Sequence, residues 1–248
     1  MKYLFRLITL CALICSGLHA HSQKQSFKST ETKKDSLKNI YVTGSYGILF
    51  QYMPTGHENK DYKIGLRPSI LVNFTLNTHI DFSKYIGIMQ GCAIKNVGFK
   101  TLDETIESVE YDKIIRRSYM AEAYAAIKIG ALQKFTFFYI GAGYGFSTHY
   151  RQKQVEHNRK IIDSQWFSSA TKQFVPSIVA GYQFSNNIHV QLQYFLSDFL
   201  NHSYNNKFGD FSKFDNTQIL QLSLSFQKKD TDSKNTLKNL EDNKLIAL

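Results

Sequence analysis

Ser147 and His149 stand two positions apart, and a hydroxyl near an imidazole is the minimum needed for a nucleophile–base pair. His157 and Arg159 share a long polar segment with Trp166, while His202 lies beside Ser203 and near Asp198 and Asp210. None of these sets matches a nucleophile, a base and a group that orients the base, so they read as exposed loop residues. Cys92 has no His or Cys neighbours at metal-ligand spacing, and a lone cysteine of this kind reads as a small packed side chain. No glycine-rich phosphate loop leads from a strand into a helix. The sequence therefore points to no catalytic residue, no metal and no cofactor.

What remains is charge. Arg151, Lys153, Arg159 and Lys160 form a basic segment, diluted by Glu156 and Asp163, that could contact anionic phosphate groups. Arg67, Glu122 and Lys128 are isolated charges inside otherwise apolar and small-polar runs. Their role depends on the elements that carry them.

Those elements are strands. The chain has 248 residues, 43% hydrophobic and 14% aromatic, with a formal net charge of +10. Its one long, mainly apolar stretch, residues 4–18, is shorter than the roughly 20 residues of a spanning helix. Elsewhere apolar residues recur at every second position. Tyr62, Ile64, Leu66, Pro68, Ile70, Val72 and Phe74 share one face; Ile188, Val190, Leu192, Tyr194 and Leu196 share another against His189, Gln191, Gln193 and Ser197. Leu220, Leu222, Leu224 and Phe226 end the series. Such alternation marks strands. Eight runs emerge between residues 40 and 226, although Pro176 sits awkwardly in the sixth. In the fifth, Gly141, Gly143 and Gly145 face opposite Phe138, Ile140 and Tyr144, leaving room inside a narrow barrel.

The links alternate in length. Residues 75–78, 131–134 and 185–187 are short; residues 53–61, 100–113, 151–169 and 201–216 are long and polar. With an even strand count, this is the layout of an eight-stranded antiparallel up-and-down transmembrane β-barrel, short turns and both termini on one side. The apolar faces lack charge through their middles, and the other faces carry mainly Gln, Ser, Thr, Asn and Gly, suited to a small filled lumen. Phe74, Phe135, Phe137, Phe184 and Phe226 are expected to form an aromatic girdle near the short turns.

Lys2 and Arg6 stand at the head of the apolar stretch, and Ala20 and Ser22 follow as small residues before a cut at Gln23, so residues 1–22 read as a secretory signal peptide. Residues 23–39 then form a flexible periplasmic leader, 40–226 the barrel and 227–248 a polar tail. Glu122 and Lys128 share a face but lie about 20 Å apart at strand rise, too far to pair. Arg67 and Glu122 precede the first two short turns by eight and nine residues, so they are expected at one depth, as an ion pair inside the lumen.

Several stretches resemble recurring segments of the small eight-stranded outer-membrane β-barrel family of Gram-negative bacteria, with OmpX- and OmpA-like, porin-family-type architecture. They are residues 91–99, 116–119, 126–130, 174–177, 180–184 and 194–201, and the alternating last strand ending in Phe226. Family members often stop at that aromatic, whereas this chain runs 22 residues further. The resemblance implies an outer-membrane location with periplasmic tails, lipid contact that could include lipopolysaccharide phosphates at Arg151, Lys153, Arg159 and Lys160, barrel-assembly machinery as a partner during insertion, and no nucleic acid. It implies architecture rather than activity. The expected function is a non-enzymatic surface or structural module with a side-chain-filled lumen. The rivals are an outer-membrane lipid-modifying hydrolase and a soluble periplasmic barrel around a small apolar ligand.

Overall fold

A computed structural model describes residues 39–54, 62–70, 72–106, 109–157, 159–185 and 187–229. The expected signal peptide, almost all of the leader and most of the tail lie outside these residues. Eight antiparallel strands close a ring: β1 (Asn39–Tyr52), β2 (Asn73–Asp81), β3 (Ile86–Ile106), β4 (Val109–Ala131), β5 (Thr136–Glu156), β6 (Phe174–Gln183), β7 (Ile188–Phe195) and β8 (Leu220–Lys229). Each pairs with its neighbour in sequence, and β8 returns to β1 through registers such as Tyr46↔Phe226 and Phe50↔Leu222. The start of β1 and the end of β8 lie at the end of the ring that carries the short turns.

The alternating residues divide inside from outside, and the division is inverted relative to a protein folded around an oily core. Phe74, Leu76, Ile94, Ile127, Ile129, Ile140, Leu192, Leu222 and Leu224 are 42% to 62% exposed on the outer wall. Gln51, Lys95, Glu122, Lys128, Gln193 and Gln221 are at most 4% exposed within. A wall of this polarity matches hydrocarbon outside and hydrogen-bonded side chains inside. This is a transmembrane barrel.

Four expectations about the elements need correction. The second strand does not stop at Phe74: residues 75–78 lie in mid-strand, and the turn falls at residues 82–85, where Ser83 Oγ accepts hydrogen bonds from the Tyr85 and Ile86 amides at 3.1 Å. The earlier part of that run forms two short pieces, Lys63–Gly65 and Arg67–Ser69, which pair with β3 and β1 respectively. Much of two long links is strand as well, since β3, β4 and β5 continue through them and Arg159–Trp166 folds back on β5. Finally, Phe135 and Phe137 are not in the outer girdle. The alternation that sends Phe138 outward sends Phe137 inward, and both rings pack with Tyr41, Leu132 and Tyr139 as a floor at the short-turn end.

Pro176 is accommodated without a broken ladder. Its carbonyl accepts from the Leu196 amide at 2.9 Å, one residue beyond the end of β7. A residue's N–H and C=O point to the same neighbour, so the missing donor faces the place where pairing already ends.

Candidate functional site

Three levels of buried ion pairs run up the barrel. Nearest the short turns, Lys128 Nζ meets Asp81 Oδ1 at 2.5 Å, the Tyr41 hydroxyl at 3.1 Å and His79 Nδ1 at 3.2 Å. His79 stacks on Tyr41 with ring centroids 4.6 Å apart. In the middle, Lys95 Nζ lies 2.8 Å from Glu122 Oε2 and donates to Gln193 Oε1 at 2.7 Å. Glu122 Oε1 accepts from Ser177 Oγ at 3.2 Å. Gly143 is what admits this carboxylate, because a Cβ there would stand 2.6 Å from Glu122 Oε1 and 2.8 Å from Ser177 Oγ.

Arg67 and Glu122, expected to pair, do not. Arg67 donates to Gln51 Oε1, and to Asn96 through Oδ1 at 2.8 Å and the carbonyl at 3.3 Å. The reason lies in register. Along the ladder Glu122 aligns with Ala93, Thr75 and Ser45, whereas Arg67 aligns with Gln51. That is six positions, or about 20 Å, further along β1. Seven residues separate Arg67 from Phe74 where β1 advances only five, and the excess is taken up around Val72, which has φ 62°. The two charges still belong to one network, since Gln51 donates to Gln221 at 3.0 Å and Gln221 to Gln193 at 3.3 Å.

The third level lies beyond the membrane-spanning stretch. Arg116 makes a bidentate pair with Glu104, both contacts 2.7 Å, and Lys213 reaches the same carboxylate at 2.7 Å. Asp103, with φ 51°, reverses the strand's alternation so that Glu104 joins Thr101 on the inner side. Burial alone would raise the Glu104 carboxyl, but Arg116 and Lys213 outweigh it and hold the group at about 2.

Around this pair the fourth long segment folds into the barrel mouth. Phe199, Tyr204, Phe208, Phe211 and Phe214 are buried there against Tyr62, Phe99 and Tyr150. Phe214 lies 5.0 Å from Tyr62, Phe208 lies 4.8 Å from Tyr150, and the Arg116 guanidinium sits 5.0 Å over the Phe214 ring. Gln152 Nε2 donates to the Phe208 carbonyl at 3.2 Å, fastening the cap to β5. The expected polar loop, residues 201–216, together with Phe199 just before it, is an aromatic cap.

Ser147 and His149 are divided by a bulge. Tyr119 pairs with His149 and Met120 with Ser147, so Thr148 is an extra residue and the two side chains point to opposite sides. Ser147 is buried, and His149 stacks outside between Tyr119 and Trp166. His202 Nε2 is 3.9 Å from Asp198 Oδ1. Among the described residues no group of three or more His, Cys, Asp or Glu is placed to hold a metal. Of the four basic residues singled out, Arg151, Lys153 and Lys160 face outward together, and strand alternation turns Arg159 to the other side.

No protein-family model and no curated protein matches the chain. Among solved structures, Ail, the attachment invasion locus protein of Yersinia pestis, is similar with a TM-score of 0.38 and 15% identity, over 77% of this chain and 100% of that one. Neisserial surface protein A aligns with a TM-score of 0.34 and 11% identity, over 76% and 95%. CarO2 of Acinetobacter baumannii aligns with a TM-score of 0.32 and 12% identity, over 77% and 100%.

Proposed function

We propose that the protein is a non-enzymatic outer-membrane barrel of a Gram-negative envelope, a surface or structural module whose lumen is filled by side chains. The observation that carries this reading is the inverted polarity, with Ile, Leu and Phe outside and ion-paired Lys95, Glu122, Lys128 and Asp81 inside. A soluble barrel around an apolar ligand requires the opposite arrangement. A lipid hydrolase requires a hydroxyl and an imidazole in reach of each other at the lipid-facing rim; Ser147 and His149 point to opposite sides of the wall, and the pairs that do meet, Ser225 with His189 at 2.9 Å and Thr43 with His79 at 2.8 Å, are buried inside the barrel. The aromatic floor, the paired middle and the aromatic cap leave the module closed to large solutes, and both tails extend on the periplasmic side. Insertion through the barrel-assembly machinery follows from the alternating last strand.

The test is electrophoresis of membrane fractions with and without boiling. A folded barrel migrates differently once boiled, and the protein is expected in the outer-membrane fraction with that shift. Recovery among soluble periplasmic proteins, with mobility indifferent to boiling, would sink the reading. Conductance in planar bilayers on the scale of a general porin would contradict the filled lumen.

A further inference from the structure

The outward face of β4, β5 and the returning strand Arg159–Trp166 carries its side chains in rows fixed by register. The lowest row is aromatic: Tyr119, His149 and Trp166, with Tyr119 stacked on His149 at 5.7 Å and His149 against Trp166 at 4.5 Å. Phe167, Phe146, Phe174 and Tyr144 continue it along the wall. On β4 the outward residues from Ile129 to Tyr119 cover ten steps, about 26 Å at ordinary rise and tilt, the height of the apolar band of such barrels. The aromatic row therefore marks the outer edge of the hydrocarbon.

Immediately above it, Arg117 stands directly opposite Arg151. The next row holds Ile115, Lys153 and Ile162, and the one beyond it Lys113, Val155 and Lys160. Like charges placed directly across a ladder repel. Among the described residues none of these five cations has a carboxylate within 4.0 Å; Asp163 meets Lys207 at 3.5 Å, Asp112 accepts from the His157 amide at 3.1 Å, and register turns Glu156 to the opposite side of the strand with Arg159. The Lys153 ammonium is pushed down, first by partial burial and then by Lys160, Lys113, Arg117 and Arg151. This cluster of five cations lies at the depth of lipid headgroups, on the side of the barrel that lipid covers.

We propose that this face binds the phosphorylated headgroup of an outer-leaflet glycolipid, with Arg117 and Arg151 on the phosphate, Lys113, Lys153 and Lys160 on anionic groups further out, and the Tyr119–His149–Trp166 row against the sugar and upper acyl chains. The proposal rests on the outer-membrane reading and goes beyond it by adding Arg117 and Lys113 and excluding Arg159. A guanidinium pair matches phosphate oxygens with charge-assisted hydrogen bonds, which relieves the repulsion between the two arginines.

The test uses the full chain folded in neutral detergent, with bisphosphorylated lipid A, the same lipid stripped of phosphate, and inorganic pyrophosphate as probes. The wild-type protein is expected to prefer the phosphorylated lipid strongly, and pyrophosphate is expected not to displace it. Losing two arginines, each worth roughly fivefold beside an anionic lipid, predicts about 30-fold weaker binding for Arg117→Ala/Arg151→Ala. Arg159→Ala is expected to stay within about twofold. Equal binding of the dephosphorylated lipid by wild type, which needs no variant to fold, would overturn the proposal. So would an unaffected double variant, or capture of free pyrophosphate in place of the lipid. A wild-type protein that shifts on boiling yet shows no phosphate preference removes this site alone, whereas one that does not shift removes the barrel reading and the site with it.

Discussion

Lys95 and Glu122 show how a barrel of this width tolerates charge in its centre. Neither has water to fall back on, so each depends on the other and on Gln193 and Ser177. Removing one partner strands the other, which costs about 3–5 kcal/mol, while replacing both removes the need for the pair. Glu122→Gln is therefore expected to lower the urea midpoint of the detergent-folded protein well below that of Lys95→Met/Glu122→Gln. A single variant no worse than the double would show that the pair is not what balances the charges. Gly143→Ala is expected to cost roughly 1–3 kcal/mol in the same assay, because the added methyl meets Glu122 on one side and Ser177 on the other.

At the scale of the element, the cap turns an open strand end into a closed one. Its five rings provide area, and the Glu104 carboxylate, bonded to Arg116 of β4 and to Lys213 of the cap, provides the latch. The groups facing it are Arg116, Lys213 and the Thr101 hydroxyl, with Tyr62 and Tyr150 beyond Arg116. Its carboxyl is held down from 4.5 to about 2, so the latch is complete above the ordinary carboxyl pKa and is lost as pH falls through the lower value. Pepsin, which is active across that window and prefers aromatic sites, should cleave between residues 204 and 214 increasingly as pH drops from 4.5 toward 2. Glu104→Gln should be cleaved readily throughout. Identical cleavage profiles for the two proteins would remove the latch. The same scale explains why the hydroxyl and imidazole near residue 148 cannot cooperate, since one bulged threonine, held by its Oγ1 to the Tyr119 carbonyl at 2.8 Å, reverses the alternation between them.

For the whole molecule the decisive property is the direction of its polarity, and one strand face suffices to test its extent. Ala123 and Ile115 both point outward from β4, the first within the apolar band and the second above the aromatic row. Ala123→Arg is expected to destabilise the barrel in lipid vesicles by about 2–4 kcal/mol, and Ile115→Arg by at most about 1 kcal/mol. Equal costs at the two positions would mean that the hydrocarbon edge does not lie at Tyr119, His149 and Trp166.

Strand number, antiparallel order and the inside–outside division were legible along the chain, because a pleated strand alternates its side chains whatever its neighbours do. The phase of Phe138 against Gly141, Gly143 and Gly145, or of Leu222 and Leu224 against Ser223 and Ser225, is a local property. The separation of Glu122 from Lys128 followed from strand rise alone. Pairing is another matter. Whether Glu122 meets Arg67 or Lys95 depends on how far each strand is slid past the next, and a turn at residues 82–85 instead of 75–78 leaves Arg67 six positions, about 20 Å, along β1 from the level of Glu122 even after the two surplus residues near Val72 shorten the gap. Asp81 went unrecognised for the same reason, since a turn placed at residues 75–78 removes from β2 the positions that bring Asp81 to Lys128. The cap and the basic face also belong to tertiary structure. Rings at 199, 204, 208, 211 and 214 have no strand period to announce them, and Arg117 and Arg151 become neighbours only through the register of β4 on β5. Alternation acts within a strand and survives in the sequence; register acts between strands and is settled only when the ring closes.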